Sequence, residues 1–343
     1  MKSAGRSSLT LLFSFVVSLI TLSPNGFAND SIFAFGAGGI EFKKTDDISM
    51  EKEVLTISDH KVRVEYVFLN TTTHPVKEKI VFPMPPLVLG CDRLIRSYDG
   101  NLQDFKLWVN DQRVETSRTL RAVLPSGEDV TNRLRKLGLS DNSIVNYNGY
   151  SPCEADWEPL DKDAEIVLKK LIQNGLVVGD KSPRPLWLAS YVEYWNQEFP
   201  PKSIIKVVHE YVPLIGTDSG NIDFKEAGFG IKTTKELAAR FYNYNLCITD
   251  GTLKAAMKTQ QGSGGLRHNI VEYILATGAN WAGPIKDFTL NLKKQKEDDV
   301  VSLCFDGHFK KTNPLTLTSH LKNFVPKKDL QILFLYRDAN TAK

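Results

Sequence analysis

Residues 61–85, KVRVEYVFLNTTTHPVKEKIVFPMP, alternate apolar and polar side chains with a period of two. That period marks a strand with one face buried. Val62, Val64, Tyr66 and Phe68 fall on one side, with Arg63 and Glu65 on the other. After the polar run NTTTHP the pattern resumes, with Val76, Ile80 and Phe82 opposed to Lys77 and Lys79. Pro83 ends it, because proline has no N–H to give to a ladder. The expectation is a β-hairpin. A second stretch repeats the device. In residues 186–199, Trp187, Ala189, Tyr191, Glu193 and Trp195 share a face. Pro200 and Pro201 then break the run, and Ile205, Val207, His209 and Tyr211 fall in register in residues 203–211.

Short strands spaced by turn residues fill most of the remaining chain, as in an antiparallel sandwich. Residues 103–109 put Phe105, Leu107 and Val109 on one face ahead of a tight turn at Asn110-Asp111-Gln112. Residues 128–137 and 161–174 instead have helical spacing, the second with Asp161 as N-cap and Gly175 just past its end. Two further helices are expected over residues 233–244 and 249–260, and strands return from residue 269 to 336. The expected fold is mainly β (α+β), with antiparallel β-sandwich-like regions and a helical insertion. The expected divisions are 29–125 as an N-terminal β-sandwich-like region, 126–185 as the helical insertion, 186–337 as a C-terminal β-rich region with two short helices, and 338–343 as a tail.

Residues 1–28 read as a signal peptide. Lys2 and Arg6 precede an apolar run over residues 9–22, and small residues at Gly26 and Ala28 set a cut between Ala28 and Asn29. The run is shorter than the roughly 20 apolar residues a membrane span needs. The expectation is a periplasmic or secreted chain with no membrane span in its mature part. The net charge of +3 includes the two leader cations, so the body is near neutral. That is unlike a nucleic-acid-binding protein. Export gives weight to the four cysteines: Cys91, Cys153, Cys247 and Cys304 allow three complete pairings. None forms a C-x-x-C, which disfavours a zinc knuckle or thioredoxin-type site.

Catalytic signals are sparse. No two of the six histidines have the spacing of a zinc site, and no serine lies in a G-x-S-x-G elbow. Gly36-Ala37-Gly38-Gly39 lacks the Lys-Ser/Thr of a phosphate loop. The stretch from Asp218 to Asp223 carries oxygen ligands but misses the EF-hand pattern. The acidic run at residues 156–165 fits helix capping and the macrodipole. No cofactor or metal is expected. Trp187, Tyr191 and Trp195 are the candidate stacking residues for a sugar or peptide, and the same spacing also suits a sandwich core. His209, mid-strand among aromatics, is the candidate polar ligand group.

Four stretches together resemble one family. They are NDSIFAFGAGGIEFKKTDDISMEKEVLTIS leading into VRVEYVFLN and FPMP; YVEYWNQEFPPKSIIKVVHEYVPLIG; LCITDGTLKAAM; and NWAGPIKDFTLNL with VVSLCF and NFVPKKDLQILFL. They look like the bacterial exported proteins grouped as domain of unknown function 4424, over roughly residues 29 to 336. The resemblance implies export to the bacterial envelope and no established activity to transfer. It also implies a Cys247–Cys304 disulfide, because both cysteines stand in matching stretches; that leaves Cys91 with Cys153 as the second pair. The first strand pair with its FPMP stop is also similar to vault/inter-α-trypsin-type β-sandwiches. The D-x-S-x-S loop of an accompanying metal-dependent adhesion domain is absent from this sequence.

The function expected from these observations is a non-enzymatic binding or scaffold module of the envelope, with an envelope protein or a glycan as partner. The alternative is a cell-wall or carbohydrate hydrolase. It requires two or three of Glu193, His209, Asp218, Asp223 and Asp306 to meet in one cleft.

Overall fold

The computed structural model describes residues 31–35, 40–83, 94–95, 104–145, 162–179, 184–217, 220–225, 230–260 and 264–337. Ala28, Asn29, Cys91, Cys153, Asp161 and Asp218 lie outside the described residues, as do the leader and the tail.

The protein is mainly β, built on three larger sheets. An eight-stranded sheet runs in the order Lys310–Asn313, Thr316–Phe324, Ile285–Lys293, Ile48–Ile57, Val62–Asn70, Ile204–Tyr211, Lys106–Val109 and Gln112–Val114. One five-stranded sheet runs Ile40–Lys43, Ser31–Phe35, Val76–Pro83, Leu188–Phe199 and Ser117–Val123. The other runs Val300–Leu303, Leu330–Tyr336, Arg267–Tyr273, Ile215–Thr217 and Leu94–Ile95. The described neighbours in these sheets pair antiparallel except Ile48–Ile57 with Ile285–Lys293, which are parallel. Strands from residues 29–125 and 186–337 therefore alternate within the same sheets.

One main core lies between the eight-stranded sheet and the two smaller ones. Val64, Tyr66, Phe68, Phe288 and Leu290 enter it from the large sheet, Ile80, Phe82 and Trp195 from one small sheet, and Val271, Ile332 and Phe334 from the other. Strand Leu330–Tyr336 is apolar on both faces. Ile332 and Phe334 point to the main core, while Leu333 and Leu335 meet helices Thr234–Arg240 and Asp250–Thr259 in a second core. A continuous apolar run is what a strand covered on both sides requires. Both helices begin with a capping box, Thr233 with Glu236 and Thr249 with Thr252, which satisfies two otherwise orphaned N–H groups at each start.

The two expected hairpins are instead arches. Val62–Asn70 belongs to the eight-stranded sheet and Val76–Pro83 to a five-stranded one. The second pair divides in the same way, Ile204–Tyr211 in the large sheet and Leu188–Phe199 in the small one. Each strand of one arch pairs with a strand of the other, as in Phe68 opposite Ile205 and Ile80 opposite Trp195. A period of two shows which side chains face the core. It does not show whether successive strands turn their backbone edges or their apolar faces to each other, and here they turn their faces.

The arch tips are tied by backbone and side chain. Asn70 N–H donates to Ser203 O at 3.1 Å, and Lys202 N–H to Thr72 O at 3.1 Å. The fully buried Asn70 amide donates to Phe199 O at 2.8 Å and His74 O at 2.9 Å, and its oxygen accepts from Thr72 N–H and Oγ1, both at 2.8 Å.

The segment expected as a helical insertion contributes Thr131–Lys136, Asp141–Val145 and Lys162–Gln173. The first begins three residues later than the spacing suggested. Glu128 and Val130 are still bonded back to the preceding strand, through Leu124 N–H to Glu128 O and Val130 N–H to Ala122 O. These helices close a third core with Leu120, Ala122 and Trp187.

Candidate functional site

His209 projects from strand Ile204–Tyr211 into the main core and is 0% exposed. The rings of Tyr66, Phe82, Phe105 and Trp195 surround it with centroids 5.6, 4.9, 5.4 and 5.3 Å away. Edge-on aromatic packing of this kind holds a ring in one orientation. Trp187 and Trp195 are each 4% exposed, and their indole N–H groups donate internally, to Ile144 O at 3.0 Å and Gln197 Oε1 at 3.3 Å. Trp187 and half-buried Tyr191 lie in the helix-side core, whereas Trp195 lies in the main core. Between them, on the same strand face, Glu193 accepts from Arg118 Nε at 2.6 Å and Thr116 Oγ1 at 2.7 Å. The candidate aromatic face is thus divided by buried Glu193 and its part-exposed partner Arg118, and its two tryptophans turn inward, as the core alternative required.

The acids of the hydrolase reading stand in separate surroundings. Glu193 is committed to Arg118. Asp223 accepts from Lys225 N–H at 2.7 Å and Gln260 Nε2 at 3.0 Å. Asp306 is exposed in the loop after Val300–Leu303. Among the described residues, no group of three or more His, Cys, Asp or Glu side chains is placed to hold a metal ion.

Nothing local in the sequence distinguishes buried Asp59 or half-buried Asp329. Asp59, 2% exposed, accepts from Asn269 Nδ2 at 2.8 Å and from Gln295 Nε2 at 2.8 and 3.0 Å. Asp329 Oδ1 accepts the N–H groups of Leu275 and Ala276 at 3.0 and 3.1 Å. Burial pushes the Asp329 carboxyl from 3.8 up to about 6, against the lowering effect of those two N–H groups. Its folded-state value lies above the unfolded one. Its contribution to stability is therefore full below about pH 4 and is lost as pH rises through about 6. Asn keeps the accepting oxygen without the charge. Asp329→Asn is expected to match the wild type near pH 4 and to exceed its unfolding free energy by up to about 3 kcal/mol at pH 7.5. Urea titrations at both values check this; parallel pH dependences for the two proteins would contradict it.

Among the described residues, the outer face of the eight-stranded sheet carries half-buried and exposed side chains. Half-buried Val54, Val67, Leu69, Val208 and Trp108 form its apolar centre, and Ile204 stands 57% exposed at one end. The register sets Lys52, Val67 and Lys206 in one row, and Val54, Glu65, Val208, Trp108 and Arg113 in the next. The Arg113 guanidinium lies 5.2 Å from the Trp108 ring centroid. Glu210 pairs with Lys61 at 2.7 Å and Arg63 at 2.5 Å, and these ammonium and guanidinium partners outweigh burial and hold its carboxyl below the usual value.

Away from both faces, Cys247 and Cys304 form a disulfide, the pairing the resemblance implied. It fastens the connection between the two capped helices to the end of edge strand Val300–Leu303. The model of the family described as a domain of unknown function, DUF4424, matches residues 28–333. The chain belongs to the DUF4424 family. No curated protein sequence matches it.

Two solved structures are similar to this DUF4424 chain at low identity. One is a candidate nutrient-binding protein from Legionella pneumophila, 15% identical over 86% of this chain and 68% of that one, with a TM-score of 0.43. The other is an M1 zinc metallopeptidase from Deinococcus radiodurans, 11% identical over 85% of this chain, with a TM-score of 0.27. This chain spans only 43% of the metallopeptidase. At TM-scores below 0.5 neither likeness says anything about ligand or reaction here. Among the described residues, no helix is long and apolar enough to cross a membrane.

Proposed function

We propose that this DUF4424 protein is exported to the bacterial envelope and acts there as a non-enzymatic binding or scaffold module. One observation carries the reading: the described candidate acids Glu193, Asp223 and Asp306 stand apart, the first two with their own partners and the third exposed, while the outer face of the eight-stranded sheet carries exposed and half-buried side chains among the described residues. Acid–base catalysis needs its groups within hydrogen-bond reach of one reacting centre. A broad rigid sheet face needs no such convergence to bind.

The mature protein, incubated with cell-wall fragments and a panel of glycans, is expected to retain a ligand without altering it. Release of new reducing ends or peptides, lost on Glu193→Gln or on substitution of His209, would replace the binding reading with the hydrolase one. The export half has its own check. Mass spectrometry of the chain from the periplasmic fraction is expected to show an N-terminus at Asn29. A full-length chain confined to the cytoplasm would contradict export.

A further inference from the structure

The outer face of the eight-stranded sheet has an unbalanced charge pattern. Its strand acids are already engaged: Glu210 with Lys61 and Arg63, Glu65 with Arg63, and Asp287 with His320 and Lys322. Lys52, Lys106, Lys206 and Arg113 have no ion-pair partner among the described residues, and all four are exposed. The exposed acids Asp104, Asp111 and Glu115 lie beside this face, off its strands. Lys52 and Lys206 flank Val67 from neighbouring strands, so their backbones stand about 10 Å apart. Towards the other end Arg113 stands opposite Trp108, and Lys106 stands opposite Glu210, whose carboxylate is held by Lys61 and Arg63.

We propose that this face binds an anionic polysaccharide of the uronate type, laid flat across the strands. The inference rests on the binding reading above and names its ligand class. Carboxylates along the glycan pair with the unmatched cations. The C–H faces of its sugar rings cover the apolar strip of Val67, Val208 and Trp108, as sugar rings do on flat apolar and aromatic surfaces. The half-burial of the apolar strip argues against an anionic bilayer as the occupant. The central valines are half-buried, and Ile204 is the large aliphatic side chain that stands well clear of the sheet. Membrane-surface binding scales with the apolar area a protein can push into the headgroup boundary.

The test uses the mature protein and polygalacturonate in affinity electrophoresis at low salt, with neutral dextran, duplex DNA and vesicles of phosphatidylglycerol and phosphatidylcholine as comparisons. Retardation by polygalacturonate and not by the other three is expected. Lys52→Glu with Lys206→Glu is expected to weaken it at least tenfold. Trp108→Ala is expected to weaken it several-fold at unchanged charge. Lys327→Glu with Lys328→Glu, exposed and off this face, serves as the equal-charge control and is expected to leave it unchanged. All variants change exposed or half-buried groups, and matched thermal midpoints confirm that they fold. Equal loss in the control pair, equal binding of DNA, or binding of vesicles alone would each overturn the assignment. Absence of polygalacturonate binding overturns this inference and leaves the wider binding reading standing. Cleavage of the polymer overturns that wider reading instead.

Discussion

Replacing Asn70 with alanine is expected to lower the thermal midpoint by roughly 4–5 °C, from a loss of about 3 kcal/mol. The magnitude follows from what the amide holds. Its nitrogen satisfies the carbonyls of His74 and Phe199, and its oxygen satisfies the N–H and hydroxyl of Thr72. The site is 0% exposed, so the truncated variant leaves polar groups with neither protein nor bulk water, at about 1–3 kcal/mol each before relaxation. Asn70→Asp separates this account from simple cavity formation. It keeps the volume and the accepting oxygen but turns an oxygen toward two carbonyls, so its loss should equal or exceed that of alanine at pH 7. Near-native stability of the aspartate variant would show that the arches are held by their strands alone.

The Cys247→Ser, Cys304→Ser double variant is expected to lose about 4 kcal/mol, the chain-entropy estimate for a loop of this length. The disulfide joins positions 57 residues apart. It also holds Cys247 at φ +47, a left-handed conformation that disfavours a non-glycine residue. The layer it fastens has its own core of Leu237, Phe241, Leu253 and Leu333. Amide exchange is therefore expected to rise first in helices Thr234–Arg240 and Asp250–Thr259 and last in the main core. Dithiothreitol should shift the wild-type midpoint to that of the double variant and leave the variant unmoved. A loss below about 1 kcal/mol, or uniform exchange across all three sheets, would show that the bond is dispensable to the fold.

Local sequence was sufficient for local structure. The alternation around Val62, Val64, Tyr66 and Phe68 marks a strand with one buried face, and that face is buried. The helix expected over residues 249–260 is present as Asp250–Thr259, and Thr249 caps it through contacts confined to the next turn. Gly175, at φ +65, ends helix Lys162–Gln173 as its position suggested, with Leu176 N–H bonded back to Leu171 O at 2.9 Å. The long strand Thr316–Phe324 carries no continuous apolar signal in sequence, because residues such as His320 and Lys322 face solvent.

The candidate site was far less legible. Trp187 and Trp195 share a face in the sequence pattern, yet two separate cores claim them, since Trp187 stands just before strand Leu188–Phe199 and Trp195 lies well along it. The unmatched cations Lys52, Lys106 and Lys206 looked like ordinary solvated charges. Only the strand order Ile48–Ile57, Val62–Asn70, Ile204–Tyr211, Lys106–Val109 gathers residues from three distant segments onto one surface.

By itself the sequence determined the mainly-β class, the buried faces of the principal strands and membership of the family, because each is written in short-range periodicity or in ordered motifs. The tertiary structure alone decided that residues 61–85 form an arch rather than a hairpin. A residue's facing repeats every two positions along its own strand, whereas the partner of its backbone edge lies more than a hundred residues away and depends on which sheets close the core.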